Sequence, residues 1–269
     1  MQFPVARLLK SGVPHVWYAV ICGKPGAILL VSDRLEVNGS ADRPVVFTAC
    51  DRTQGWGGIR VSPEYNSDGS GRLSHVRIEY ADTGIYGWNL EIENATVRQT
   101  RGPGIAGEAN VTAMTVDSAC VAWDSDCAAV WADRYAPMNL TDVIVRGSGD
   151  MGVARERRAP ITLTDVTIEG SAGIGLYLGG GAPLNDVANF AVEGSLRVAG
   201  NLYPALVAAH DVPALLPNPE AYTRLLGNLR DTLLVGITAG TGEPTVQAEL
   251  PWRIFGNTFI GIGYANVGS

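Results

Sequence analysis

The side chains best suited to chemistry lie between Cys120 and Met138, where acids and aromatic rings occur close together. Three acids in this stretch, Asp124, Asp126 and Asp133, could act as general acids or bases, and Asp124 and Asp126 as cation ligands. Two carboxylates on facing positions would support glycoside hydrolysis. Three rings could form a platform for sugars: Trp123, Trp131, Tyr135. The alternative is that the rings pack the segment onto the rest of the protein and the acids are solvated.

A second set of acids recurs at one place in a repeated phrase. Stacked carboxylates at Asp142, Asp165 and Asp186 could hold Ca²⁺, the one cofactor that the sequence leaves open. However, each acid follows a turn and precedes a strand, where Asp commonly bonds its own backbone. The same place in other copies is filled by non-acidic residues: His75, Asn94, Ala113. We therefore interpret this column as a geometric requirement of the backbone.

Three arginines also occupy nearly equivalent repeat positions, Arg77, Arg98 and Arg146. A polysaccharide lyase would need such a basic neutraliser or a cation cluster. Ion pairing with neighbouring glutamates such as Glu79 explains the arginines equally well. The three histidines lie far apart in the chain, and no spacing is typical of a metal site or a Ser-His-Asp triad.

The elements that must position these side chains come from one phrase, which reads apolar, any residue, small polar or His, apolar, any residue, apolar. The copies begin at six residues: Leu73, Ile92, Val111, Leu140, Leu163 and, more loosely, Leu184. Their steps are 19, 19, 29, 23 and 21 residues. A short β-type phrase with a period near twenty indicates a solenoid, in which stacked repeats bury a continuous core. Glycines such as Gly104, Gly147 and Gly173 are expected to supply left-handed corners between strands.

A resemblance supports the same interpretation. Residues 25–61 contain LEVNGS, RPVVFTA and GWGGIRV, and residues 194–207 read GSLRVAGNLYPALV. These segments are similar to a phrase of bacterial secreted and cell-surface right-handed parallel β-helices, in the broad pectin-lyase-like superfamily. The resemblance implies an all-β fold, a right-handed parallel β-helix solenoid. It implies no particular activity, because this fold carries lyases, hydrolases, adhesins and stalks.

Cysteine usage favours export. The four cysteines, Cys22, Cys50, Cys120 and Cys127, form no CxxC motif, so a zinc site has no support. Cys22 and Cys50 lie about one repeat apart and could face each other, and Cys120 and Cys127 could close a short loop. The even number favours two disulfides and a secreted or cell-surface protein. The alternative is four buried free thiols.

Length and pattern predict a single β-helix domain over 1–269. We expect a cap or incomplete first repeat at 1–30, a loop insertion at 120–138, and irregular repeats over 200–269. The apolar run within 16–22 is too short to indicate a signal peptide, and no segment reaches the length of a membrane span.

The charge and composition of the chain limit the classes of partner that it can bind. The net charge of −7 and the absence of a basic run argue against nucleic-acid binding. We expect a polysaccharide or a surface protein as partner, with end-to-end self-association as a further option. The expected role is that of a non-catalytic module, acting as scaffold, adhesin or carbohydrate- or protein-binding domain. The alternative is a polysaccharide lyase or glycoside hydrolase with its site near 120–138.

Overall fold

The computed structural model describes residues 19–61, 69–122, 127–133, 136–155, 159–178, 190–201, 203–207 and 252–255. These residues form a single connected sheet of sixteen strands and no helix, so none of them lies in a helix able to span a membrane. The strands are β1 (Val20–Gly23), β2 (Ile28–Val31), β3 (Arg34–Asn38), β4 (Val45–Ala49), β5 (Gly58–Val61), β6 (Ser70–Glu79), β7 (Ile85–Arg98), β8 (Ile105–Asp117), β9 (Ala128–Ala132), β10 (Met138–Arg146), β11 (Met151–Arg155), β12 (Ile161–Glu169), β13 (Ile174–Leu178), β14 (Phe190–Ala199), β15 (Tyr203–Val207) and β16 (Trp252–Phe255). Every pair of strands is parallel. The prediction of an all-β protein is confirmed.

The pairs arrange the chain in three ladders, each rung of which is one strand or part of a strand. The short ladder contains 28–31, 58–61, 85–87, 105–107, 130–132, 153–155, 176–178 and 205–207. The middle ladder contains 34–38, 70–74, 90–93, 109–112, 138–141, 161–164 and 190–193. The charged ladder contains 20–23, 45–49, 76–79, 95–98, 114–117, 143–146, 166–169, 196–199 and 252–255. The chain passes through the three ladders in turn. Each new strand then pairs with the strand one repeat earlier in the same ladder.

Apolar residues of the repeated phrase form the core because they alternate with outward-facing residues along each rung. In the middle ladder, Leu73 pairs with Ile92 and Ile92 with Val111, and all three are buried. Other phrase copies continue this column in register through Leu140 and Leu163. Stacking of like apolar residues therefore builds one continuous core from repeats that could not bury their own faces.

The polar place in the phrase is a bend between the middle and charged ladders. Its residues adopt left-handed backbone angles, with φ between 51° and 54°: His75, Asn94, Ala113, Asp142, Asp165. We call this set the first bend column. Asn and Asp tolerate such angles better than most residues because their side chains bond locally. The interpretation of this place as a geometric requirement agrees with these angles.

The sixth rung differs from the sequence prediction. The loose copy at Leu184, with Asp186 in its polar place, lies outside the described residues. The strand that pairs with β12 is β14, where Leu163 meets Val192 and Val166 meets Leu196. A one-residue register shift falls between these pairs, and Ser195 lies within it, between Glu193 and Leu196. A bulge of this kind hides the phrase from a fixed-spacing search.

The segment 120–138 is not a simple projecting insertion. Its residues 128–132 form β9, which pairs with β8 on one side and β11 on the other. The additional length is therefore divided between two connections, one before β9 and one after it. The connection before β9 is closed by a disulfide between Cys120 and Cys127. A second disulfide joins Cys22 of β1 to Cys50, which follows the neighbouring strand β4.

The glycines have two different roles. Of the three glycines named above as corners, Gly147 has a positive φ, whereas Gly104 and Gly173 do not. At Gly104 the reason for glycine is close approach. A Cβ there would lie 2.6 Å from a methyl carbon of Val116 and 3.0 Å from the carbonyl oxygen of Ala129. The short ladder thus packs directly against the core side of the charged ladder.

Candidate functional site

The candidate residues of 120–138 are only partly within the described structure. Trp123, Asp124, Asp126 and Tyr135 lie outside the described residues. Asp133 is half-buried just after β9. No acid pair can therefore be identified, and the described residues contain no group of three or more metal-ligating side chains.

Trp131 belongs to a column of alternating large and small residues on the outer face of the short ladder. It is half-buried and packs against a satellite cluster of Ala128, Met151 and Ala154. The register of the column is Tyr86, Ala106, Trp131, Ala154, Tyr177. The packing alternative accounts for the position of the Trp131 ring.

One acid of the first bend column, Asp165, bonds to the neighbouring rung and not to its own backbone. The carboxylate oxygen Oδ1 of Asp165 accepts hydrogen bonds from the backbone N–H and the hydroxyl of Ser195, at 2.9 and 2.8 Å. These two bonds hold the pKa of Asp165 below its usual value. Asp165 therefore joins one rung to the next, a structural role that needs no cation.

A second bend column lies five residues after the first, where the charged ladder ends. Its members also have left-handed backbone angles: Tyr80, Gln99, Ser118, Gly147, Gly170, Gly200. The first three carry side chains and line a groove of about 490 Å³, which we call the corner groove. The residues lining this groove are Arg52, Gly55, Tyr80, Gln99, Arg101, Ser118, Val121, Ala122. No motif or spacing in the sequence indicates this groove.

Both walls of the corner groove follow a disulfide-bonded cysteine. One wall begins after Cys50, and its turn is fixed by Asp51, which accepts hydrogen bonds from the N–H and hydroxyl of Thr53 at 2.9 and 2.7 Å. These bonds, with a further one from Gln54 at 3.0 Å, hold the pKa of the Asp51 carboxyl below its usual value. The opposite wall, Val121 and Ala122, follows Cys120. Covalent and hydrogen-bonded anchors thus preorganise the groove.

Two arginines give the groove its charge. The guanidinium of Arg101 is anchored by the carboxylate of Asp82 at 3.3 Å and donates to the carbonyl oxygen of Thr53 at 3.0 Å. The guanidinium of Arg52 lies over the ring of Tyr80, 5.2 Å from its centroid, in a cation–π contact. Arg101 is therefore held by two contacts, while Arg52 covers an aromatic surface inside the groove.

A second groove, of about 540 Å³, lies farther along the same corner. We call it the glycine groove, and it is lined by Asp117, Arg146, Gly147, Glu169, Gly170, Arg197, Ala199, Gly200. Its charges are paired, because Arg146 contacts Asp117 at 3.4 Å and Arg197 contacts Glu169 at 2.6 Å. The glycine groove therefore offers a ligand fewer uncommitted groups than the corner groove.

The arginines noted in the sequence belong to this system of ion pairs. Arg98 and Arg146 share one column of the charged ladder, and Arg77 lies two residues earlier on its rung. Arg77 and Arg98 both contact the buried carboxylate of Glu79, at 2.8 and 2.7 Å. The column alternates in sign from rung to rung: Glu79, Arg98, Asp117, Arg146, Glu169. Ion pairing therefore accounts for these positions.

One isolated carboxyl has a perturbed pKa. Partial burial raises the pKa of Glu108, which lies in β8 between the short and middle ladders. A raised pKa in a cleft would suggest an acid catalyst. Glu108 lines neither of the two grooves described above.

Comparison of the chain with protein-family models, curated proteins and solved structures finds no match. The function must therefore be argued from the groove itself.

Proposed function

We propose that the chain is a right-handed parallel β-helix, that it is exported, and that it binds carbohydrate in the corner groove without cleaving it. The observation that carries this proposal is the corner groove. Its walls are anchored by two disulfides, and its lining combines hydrogen-bonding side chains with an aromatic ring.

The helical path is supported by the order of pairing. The chain passes from the short ladder to the middle and charged ladders, and each rung then pairs in parallel with the rung one repeat earlier. A path that repeats this cycle with a rise of about 4.8 Å per rung is a solenoid. The hand follows from the general rule that crossover connections between parallel strands are right-handed.

Export is supported by the cysteines. All four take part in disulfides. One joins neighbouring rungs of the charged ladder through Cys22 and Cys50, and the other closes the connection before β9 through Cys120 and Cys127. Disulfides persist in oxidising compartments and are rare in reducing ones. A secreted or cell-surface location therefore suits this chain.

Carbohydrate suits the chemistry of the groove. Gln99 offers an amide that can exchange hydrogen bonds with sugar hydroxyls. The Ser118 hydroxyl donates to Asp117 at 3.0 Å and can accept a further bond from a sugar. Tyr80 and Val121 offer apolar surface for the face of a sugar ring. The volume of about 490 Å³ lies in the usual range for small-ligand sites. The groove is open at a protein corner, as binding to an internal segment of a long polymer requires.

Binding without cleavage is supported by the lining. Glycoside hydrolysis needs two carboxyl groups flanking the bond, and none of the described lining residues is Asp or Glu. The nearby acids are engaged, since Asp51 holds its own turn and Asp82 holds Arg101. The lining therefore favours recognition over acid–base chemistry.

A glycan array with the disulfide-bonded protein tests this proposal, alongside an assay for new reducing or unsaturated ends. The groove variant is Val121→Trp, because Val121 is 54% exposed and lines the groove, so a larger ring there occupies ligand space. The matched control is Ile144→Trp, at a residue that is 41% exposed on the outer face of β10. A deletion of 121–137 is unsuitable because it would remove β9.

We expect the wild type and Ile144→Trp to bind the same glycans, Val121→Trp to lose that binding, and no variant to release new ends. Binding that survives in Val121→Trp would overturn the site. Release of ends by the wild type would replace the proposal with the enzyme alternative. If no glycan on the array is bound, the proposal fails and the chain is better interpreted as a scaffold or a protein-binding module.

A further inference from the structure

We infer that Arg52 sets the specificity of the corner groove, so that the groove selects saccharides bearing a carboxylate or another oxyanion over neutral ones. This inference rests on the proposed function and deepens it. It concerns the kind of sugar that the groove accepts.

The inference begins with the ring of Tyr80. Tyr80 is the one aromatic side chain among the described lining residues, and sugars bind aromatic faces by stacking. That face is occupied, because the guanidinium of Arg52 lies 5.2 Å from the ring centroid. A sugar can therefore stack on Tyr80 only after Arg52 moves.

The two arginines differ in how firmly they are held. Arg101 is fixed between the carboxylate of Asp82 and the carbonyl oxygen of Thr53. Arg52 is exposed, on a turn whose backbone is held by Asp51, and its guanidinium contacts the ring of Tyr80. Cation–π contacts at exposed sites are weak compared with a bidentate bond between arginine and an oxyanion. Arg52 is therefore the guanidinium that a ligand can move.

A ligand carboxylate provides the free energy to move it. When Arg52 turns from Tyr80 to an oxyanion, it loses one weak contact and gains charge-assisted hydrogen bonds. The same motion uncovers the ring on which the sugar stacks. A neutral sugar must displace Arg52 and receives no such compensation. Arg52 therefore favours acidic ligands and disfavours neutral ones.

Isothermal titration calorimetry tests this inference with two probes, a tetramer of glucuronic acid and the same tetramer after reduction of its carboxyl groups. The proteins are the wild type, Arg52→Ala, Arg52→Lys and the control Arg60→Ala. Arg60 is an exposed arginine of β5 outside the groove lining. Arg52 is also exposed, so its substitution should leave the thermal midpoint unchanged, which unfolding scans check.

We expect the wild type and Arg60→Ala to prefer the acidic tetramer. In Arg52→Ala the acidic tetramer should bind about tenfold more weakly, because the charge-assisted bonds are lost. The reduced tetramer should bind about two- to fivefold more tightly, because Tyr80 is uncovered. Arg52→Lys should fall between, since lysine keeps the charge without the fork.

Arg52→Ala should change the affinities for the two tetramers in opposite directions. General damage to the groove would instead weaken both. Equal wild-type affinity for the two tetramers overturns the inference, as does an acidic preference that persists in Arg52→Ala. Binding of neither tetramer by the wild type also overturns it. In each of these cases, glycan binding that is lost in Val121→Trp would leave the proposed function standing.

Discussion

Every residue of the second bend column has a left-handed backbone angle, but the two halves of the column use different kinds of residue. Its first half uses Tyr80, Gln99 and Ser118, and its second half uses glycines: Gly147, Gly170, Gly200. A left-handed angle costs an ordinary residue about 1–2 kcal/mol and costs glycine almost nothing. The first half therefore carries backbone strain at three rungs, and that half lines the corner groove. Strain retained where side chains reach a groove suggests that those side chains have a use.

The ion pairs differ between the two halves in the same direction. Beside the first half, Glu79 has a side chain that is 4% exposed and contacts both Arg77 and Arg98. Beside the second half, Glu169 is 39% exposed and contacts Arg197. Both disulfides also flank the first half. The end of the molecule with the proposed site is thus the more strongly anchored end.

Removal of the disulfides should give the largest effect and would test this anchoring. The chain-entropy relation gives a loss of about 3.5 kcal/mol for Cys22→Ser with Cys50→Ser, and about 2.5 kcal/mol for Cys120→Ser with Cys127→Ser. Urea unfolding of the two double variants measures the loss. Glycan affinity should fall in both, because each pair holds one wall of the corner groove. Unchanged stability and affinity would show that the walls need no covalent anchor.

The ion pairs should give the next largest contrast. Glu79→Ala removes the buried carboxylate that two half-exposed arginines contact, and it should cost about 2 kcal/mol in the free energy of unfolding. Glu169→Ala breaks an exposed pair and should cost less than about 1 kcal/mol. Denaturant unfolding of both variants measures the difference. Equal costs would contradict the view that one half is more firmly anchored.

Exchange of residues between the halves of the second bend column should give smaller effects of opposite sign. Gly170→Ala should cost about 1 kcal/mol through its φ of 68° alone, because only one atom lies within 4 Å of the new Cβ. Gln99→Gly should relieve strain and stabilise the protein by about 0.5 kcal/mol, after allowance for the more flexible unfolded chain. Thermal unfolding measures both changes. Gln99→Gly should nevertheless weaken glycan binding, and a stable variant with full affinity would remove Gln99 from the site.

The pH dependence should give the smallest effect. The folded protein lowers the pKa of Asp51 from its ordinary value of 3.8 through hydrogen bonds from Thr53 and Gln54. A lowered pKa means that the bonds stabilise the fold above that value and are lost as the pH falls through the folded pKa. The difference in thermal midpoint between the wild type and Asp51→Ala should therefore shrink below about pH 4. Asp165→Ala, at the first bend column, should behave alike because Ser195 lowers the pKa of Asp165 in the same way.

The sequence predicted the first bend column because the repeated phrase contains it. His75, Asn94 and Asp142 stand between apolar residues whose spacing is fixed, so the column can be found by alignment of the copies. The second bend column lies just beyond the phrase and contains tyrosine, glutamine, serine and glycine. Its members share a left-handed backbone angle. The residue type indicates such an angle only at the glycines.

The corner groove could not be predicted for a related reason. Arg52, Tyr80, Arg101 and Val121 come from four different repeats, and none has a partner at a characteristic spacing in the chain. They meet because the bends place these connections at one corner. The sequence did predict a site in the segment 120–138, but the prediction depended on its acids and aromatic rings. The residues of that segment that line the corner groove are Val121 and Ala122.

Alternation along the ladders has a consequence for how such a protein can change in length. The charged column alternates in sign through Glu79, Arg98, Asp117, Arg146 and Glu169. Loss of a single internal rung, such as that of Asp117, would place two arginines side by side.

Part of the outer column of the short ladder alternates in size with the same period, through Tyr86, Ala106, Trp131, Ala154 and Tyr177. The flanking members of the column, Arg60 and Leu206, do not continue the alternation. Loss of the rung of Ala106 would set Tyr86 against Trp131. Within these five rungs, deletion of one rung therefore brings like residues together, whereas deletion of two adjacent rungs preserves the alternation in both columns.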